Sequence, residues 1–234
     1  ADVSSALPKA LARVDCDVTV YVPAYAAILH SDYKIKESAR IAVSYNGRVY
    51  DTPILSAKVG KVQYRLIENS AFFAREGLYG DGGGDYVDNL DRFAFFCRAV
   101  IEYQRFLGAA PDIFHCHDWQ TAMIPAWLKT SLAGDMFFRN TRTIYTIHNL
   151  AYQGNFPKEQ FGHLGIPWMH FNFREMEFFD QVNFMKSGIV FADLLSTVSP
   201  TYAKEIQTER FGAGLDGALR ERSMVLFGIV NGID

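Results

Sequence analysis

From residue 89 onward the sequence alternates short apolar runs with segments of helical period, and few folds accommodate that alternation. Residues 89–107 repeat apolar side chains at Leu90, Phe93, Ala94, Cys97, Val100 and Ile101, with Asp88 placed as N-cap and Gly108 as stop. A strand follows over 112–116, a helix over 120–132 and a strand over 143–147. The pattern resumes with a helix over 184–192, a strand over 194–198, helices over 201–207 and 216–222, and a strand over 225–230. Apolar strands joined through helices pair in parallel, so the expected class is α/β, a Rossmann-like parallel sheet flanked by helices.

The first third reads differently. Residues 4–13 carry helical spacing, and 17–22 alternate as a strand. Residues 41–45 and 48–50 flank Asn46-Gly47, a strong hairpin signal, and 61–68 alternate again. A Gly-rich loop runs from Tyr79 to Tyr86 and reads as mobile surface, because Gly82-Gly83-Gly84 lacks dinucleotide or P-loop spacing. No repeat or linker composition appears, so one domain is the simplest reading.

Bulk properties exclude several functions. The formal net charge is −3 with no basic run, which argues against nucleic acid. No apolar stretch reaches membrane-spanning length. Three cysteines, Cys16, Cys97 and Cys116, lack metal or redox spacing and suggest a reducing, cytosolic compartment. The chain opens on Ala1-Asp2-Val3 and stops at Asn231-Gly232-Ile233-Asp234, and both ends read as cut.

In an open parallel sheet, ligands sit outside the carboxyl ends of the strands. The strand over 112–116 runs into His117-Asp118, and that over 143–147 into His148-Asn149. The strand over 194–198 ends at Ser199-Pro200, and the last one at Asn231-Gly232. Hydroxyl, amide, imidazole and one carboxylate on a shared rim are the groups needed to grip a sugar and a phosphate. A helix starting at Pro200 would add a partial positive charge.

Each of these residues also has a structural reading. His115 sits inside an apolar strand, as a hydrogen-bonded core histidine would. Ser199 reads equally as a helix cap, and Asn231-Gly232 as a turn. His115, His117 and Asp118 form a possible metal cluster, but a closed site needs a further ligand that the sequence does not supply, so no metal or cofactor is expected. Asp118 beside Trp119 resists a bland reading, because a carboxylate is costly to bury without a partner.

The strings H-C-H-D-W-Q-T-A (115–122), Y-T-I-H-N-L-A-Y-Q-G (145–154), S-T-V-S-P-T-Y-A-K-E-I (196–206), N-G-I-D (231–234) and D-Y-V-D-N-L-D-R-F (85–93) resemble the bacterial glycogen synthases and plant starch synthases. The resemblance runs in order over essentially the whole chain. It implies the N-terminal, acceptor-side half of a GT-B glycosyltransferase whose first strand is missing. It also implies a retaining enzyme that moves glucose from ADP-glucose to the non-reducing end of an α-1,4-glucan or maltooligosaccharide. Carried over position by position, Asp118 and His148 become the expected catalytic residues, Asp118 near the transferred glucose and acceptor, His148 against the glucose. Asp2, Tyr79, Asn149 and Asn231 become expected substrate-binding residues, and Ser199 joins them from its place on the rim.

The family carries a Lys-x-Gly-Gly-Leu run just before the Ala-Asp-Val that opens this chain, and a second, nucleotide-binding domain after its end. Both are expected to be absent here, so the segment alone is not expected to transfer glucose and its own missing C-terminal domain is an expected partner. The implied location is the cytoplasm, or a plastid for a plant-type protein.

Overall fold

The computed structural model describes residues 2–232, with the side chains of Asp2 and Ser4 outside the description. The chain packs as two compact units, one running to Arg92 and the other spanning Phe93–Gly232, with the division inside a helix rather than at a linker.

The first unit contains α1 (Asp2–Arg13), β1 (Thr19–Pro23), α2 (Ala26–Leu29), β2 (Lys36–Tyr45), β3 (Arg48–Val59), β4 (Val62–Ile67) and α3 (Ser70–Phe73). Its sheet has the order β1-β4-β3-β2, with β1 and β4 parallel and the other pairs antiparallel. The expected parallel sheet does not extend here, because two-residue turns can join only antiparallel neighbours. Asn46 (φ +47) and Gly47 (φ +69) make the first of these turns, both central residues left-handed as the hairpin twist requires. Alternation then buries Ile41, Val43 and Tyr45 on one face of β2.

The Gly-rich segment is more ordered than a loose loop. It closes a ribbon of two-residue strands, β5 (Gly80–Asp81) and β6 (Gly84–Asp85). The Tyr79 carbonyl accepts from Tyr86 N at 2.9 Å and Asn89 Nδ2 at 2.7 Å, and the Leu78 carbonyl from Arg92 Nη2 at 3.0 Å.

The helix α4 (Asn89–Leu107) has the bounds its periodicity implies, and Gly108 follows with φ +69. The second unit continues with β7 (Ile113–His117), α5 (Met123–Lys129), β8 (Arg142–Ile147), β9 (Asn155–Pro157), β10 (Glu177–Phe178), β11 (Gln181–Asn183), α6 (Phe184–Phe191), β12 (Leu194–Thr197), α7 (Pro200–Glu205), α8 (Asp216–Glu221) and β13 (Leu226–Gly228). Its main sheet is β13-β12-β8-β7, parallel throughout. Helix α5 is shorter than expected, since a 3-10 turn over Trp119–Thr121 precedes it. Strand β13 is short because β12 offers it only Leu195–Thr197 as partners. A small antiparallel sheet, β10-β11-β9, was not foreseen; strands of two or three residues carry no readable period.

The amino edge of the parallel sheet is fixed by ions. Asp193 Oδ2, just before β12, accepts from Thr143 N at 2.8 Å and Thr143 Oγ1 at 2.9 Å, while Lys129 Nζ lies 2.6 Å from Oδ1. Its middle is fixed by close packing. Helix α6 lies on β8 so tightly that a Cβ on Gly188 would enter the buried Tyr145 ring. Gly188→Ala should therefore lower the unfolding free energy by about 1–3 kcal/mol, the usual cost of overpacking, despite the higher helix propensity of alanine. Denaturant unfolding followed by circular dichroism would check this; an unchanged or raised midpoint would contradict the packing.

Candidate active site

Period-two alternation on β7 buries Phe114 and Cys116 on one face and sets His115 and His117 on the other. The parallel register places His117 beside Thr146 of β8, and Thr146 beside Ser196 of β12. A polar row thus crosses three strands. Ser196 Oγ is 2.6 Å from Thr146 Oγ1, which is 2.7 Å from His115 Nε2. His115 is the hydrogen-bonded histidine its apolar setting suggested. Its ring stacks on that of His117 at 4.3 Å, and His117 meets His148 edge to edge, with ring centroids 5.2 Å apart. His117 Nδ1 and His148 Nε2 are 3.0 Å apart, within hydrogen-bonding distance.

Burial dominates the charge state of the two inner rings. It pushes His115 down to about 4 and His117 down to about 3, with neighbouring imidazoles adding to the shift. Both are neutral at pH 7.

Asp118 follows β7 in an unusual backbone conformation, φ +54 and ψ −176. For a residue with a Cβ this costs about 1–3 kcal/mol and needs strong local restraint. The restraint is present. Asp118 N donates to Thr146 O at 3.0 Å, and the Asp118 carbonyl accepts from Thr121 N at 3.2 Å. The carboxylate Oδ1 accepts from the backbone N–H of His148 at 2.8 Å. Burial raises the Asp118 carboxyl above its usual range, and backbone N–H groups of His148 and Asn149 counter part of that shift. The following residue, Trp119, is buried among Phe93, Phe156 and Phe184, where a Cβ on Gly154 would strike its ring.

Asp118, His148 and Asn149 are therefore brought together at adjacent strand ends. Asn149 is exposed, and its Oδ1 accepts from Ala151 N at 3.0 Å. Ser199 caps α7, its Oγ accepting from Tyr202 N at 2.9 Å. Tyr202 Oη then accepts from Leu150 N at 3.1 Å, so the cap also helps hold the segment after His148. Asn231 is exposed beyond β13. Tyr79 belongs to the first unit, its backbone pinned as described. The side chain of Asp2 lies outside the described residues.

Sequence reasoning did not single out Thr146, Ser196 or Tyr202, and gave His117 no definite role. The alternation of β7 signals that His115 and His117 share a face, but only the register supplies their partners. Among the described residues, no three His, Cys, Asp or Glu side chains gather so as to hold a metal. Burial raises the Cys116 thiol well above its usual value. No described helix is long and apolar enough to cross a membrane. A cavity of about 160 Å³ lies at the opposite, amino edge of the parallel sheet, against Lys129, Asp135, Arg142 and Asp193. Lys129 pairs with Asp193 there, and Asp135 with Arg105, so this is a braced edge remote from the strand ends that carry Asp118 and His148.

Parallel strands whose carboxyl ends gather polar side chains define an α/β ligand-binding domain. The chain belongs to the starch synthase catalytic domain family, whose model matches residues 1–221. It is 46% identical over its whole length to glycogen synthase 2 of Geobacter sulfurreducens, covering 49% of that protein. Over its whole length it is likewise 46% identical to a glycogen synthase of Anaeromyxobacter dehalogenans, covering 48% of it. The structure is similar to the catalytic domain of starch synthase IV from Arabidopsis thaliana bound to ADP and acarbose, with a TM-score of 0.90 and 31% identity, over all of this chain and 48% of that one. The fold is thus that of about half of a GT-B glycosyltransferase catalytic domain. The chain spans about half the length of the curated relatives it matches.

Two predictions follow from the site's electrostatics. Asp118→Ala removes the acceptor for a half-buried N–H and should cost about 1–3 kcal/mol in urea unfolding. Asp118→Asn retains an acceptor oxygen and should lose less than half as much; equal losses would show that the Asp118–His148 bond does not hold the strand ends. The second prediction concerns acid. An unfolded histidine binds its proton near 6.5, whereas native His115 resists down to about 4. Between these values the unfolded state binds more protons, so stability falls as pH falls through this window. His115→Gln should flatten the dependence of unfolding free energy on pH between 6.5 and 4; a slope equal to the parent's would contradict a neutral, buried ring.

Proposed function

We propose that this chain is the N-terminal, acceptor-side half of a retaining glucosyltransferase. The intact enzyme transfers glucose from ADP-glucose to the non-reducing end of an α-1,4-glucan, in glycogen or starch synthesis. The observation that carries the reading is the 2.8 Å bond from His148 N–H to Asp118 Oδ1 at neighbouring carboxyl ends of a parallel sheet. It falls at the expected catalytic pair, within a chain of this family. The ADP and acarbose held by starch synthase IV support a nucleotide-linked donor and an oligosaccharide acceptor. The bacterial relatives favour the cytoplasm over a plastid.

In this reading the donor and acceptor meet at the rim formed by Asp118, His148 and Asn149. As ADP departs, positive charge grows on the sugar ring. Preorganised dipoles and hydrogen bonds stabilise it there, with His148 gripping a sugar hydroxyl and Asp118 contributing negative charge nearby. The reaction proceeds on one face, with retention, and holding donor and acceptor together supplies much of the acceleration. Cationic groups that assist the diphosphate lie outside this segment, in the Lys-x-Gly-Gly-Leu run and the C-terminal domain of the intact enzyme, the latter being the chain's own partner. Ser199 and Asn231 are taken as substrate contacts of this rim, and Asp2 and Tyr79 are carried over with them from the resemblance alone. No step calls for a metal or cofactor.

A test uses the full-length enzyme and follows glucose incorporation from ADP-glucose into maltoheptaose. His148→Ala should lower kcat by about 100-fold or more, with ADP affinity changed only modestly. Turnover near that of the parent enzyme would remove His148 from this role. If the full-length enzyme binds maltooligosaccharide but transfers nothing, the protein is a carbohydrate-binding module instead.

A further inference from the structure

His117 ends β7 and His148 follows β8, and their rings meet edge to edge through one hydrogen bond. Where each ring carries a single proton, two imidazoles facing each other through nitrogen can place only one proton between them. The choice fixes both tautomers at once. If His117 Nδ1 donates, both rings must carry their proton on Nδ1, the less favoured form of a histidine side chain. If His148 Nε2 donates, both rings carry it on Nε2, the favoured form.

The surroundings hold the pair in register. His117 is packed against His115, which is anchored through Thr146 to Ser196. The backbone N–H of His148 is tied to Asp118. The partly buried His117 ring is held neutral by desolvation, so it remains an acceptor across the physiological range.

We propose that His117 is a positioning residue for His148, accepting the His148 Nε2–H at its own Nδ1 and so fixing the ring orientation and leaving Nδ1 of His148 with its lone pair. The assignment of orientation and tautomer stands on this chain alone. Its consequence for turnover rests on the glucosyltransferase reading above. There, a His148 ring locked in one tautomer presents the same atom to the sugar in every cycle.

The test begins with the chain itself, labelled with 15N at histidine, and long-range 1H–15N spectra at neutral pH. His117 and His148 should each show a protonated Nε2 and a bare Nδ1. A proton on Nδ1 of His148, or averaged shifts from exchanging tautomers, would overturn the proposal without any variant having to fold. His117→Asn retains a side-chain oxygen as acceptor and should preserve the His148 pattern, whereas His117→Ala should average it. In the full-length enzyme, His117→Ala should lower kcat by about 10- to 100-fold, the range for removing the partner that orients a metal-ligating imidazole. KM for donor and acceptor should change by less than about twofold, because the lost interaction matters mainly in the transition state. His117→Asn should recover most of the lost turnover. Equal kcat in His117→Ala and the parent, or no recovery with Asn in a folded protein, would end the positioning role. Absence of ADP-glucose transfer by the full-length enzyme, with the expected spectra intact, would instead count against the glucosyltransferase reading.

Discussion

The site depends on a hydrogen bond between two strand ends. Strands β7 and β8 are parallel and in register, so each delivers its last residues to the same edge. Register alone leaves those residues merely adjacent. The carboxylate of Asp118 reaches across to the backbone N–H of His148, and in doing so it secures the main chain from which the imidazole projects. The left-handed backbone of Asp118 is costly, and it is sustained by bonds from its own N–H and carbonyl to β8 and to Thr121. Strain of that kind belongs where geometry matters more than stability.

The two edges of the parallel sheet use different chemistry. At the amino edge an ion pair between Lys129 and Asp193, reinforced by Thr143, ties α5 and β12 to β8. At the carboxyl edge the inner groups are neutral imidazoles and hydroxyls, with Asp118 as the acid. Burial there weakens screening, so any charge is felt strongly by its neighbours. A rim of this kind can respond to charge that develops on a bound ligand, whereas a rim already crowded with compensating ions would respond less.

Much of the second unit was legible in the sequence. The period of α4 gave its limits, and the apolar runs of β7, β8 and β12 gave both their positions and their parallel pairing. Asp118 and His148 stood out because polar groups directly follow those runs. What stayed hidden depends on register or on elements too short to show a period. The Ser196–Thr146–His115 row requires knowing which residues of three strands lie abreast. The small β9–β11 sheet and the ribbon around Gly82-Gly83-Gly84 are made of strands with no pattern to detect. The first unit was half legible: Asn46-Gly47 announced the hairpin, but nothing in composition revealed that the chain packs as two units, because the division falls inside α4.

The imidazole row adds a constraint that neither strand carries alone. His117 is too buried to act as an acid near neutral pH, so its value lies in remaining an unprotonated partner. A carboxylate in its place would also accept from His148, but it would bring a second negative charge close to Asp118 and raise the cost of burying both. An aliphatic residue would pack as well and accept nothing. A neutral imidazole supplies an acceptor without adding charge, and its flat ring fits between those of His115 and His148. Histidine at position 117 therefore meets the requirements of packing, hydrogen bonding and charge together, as no purely apolar or purely ionic side chain does.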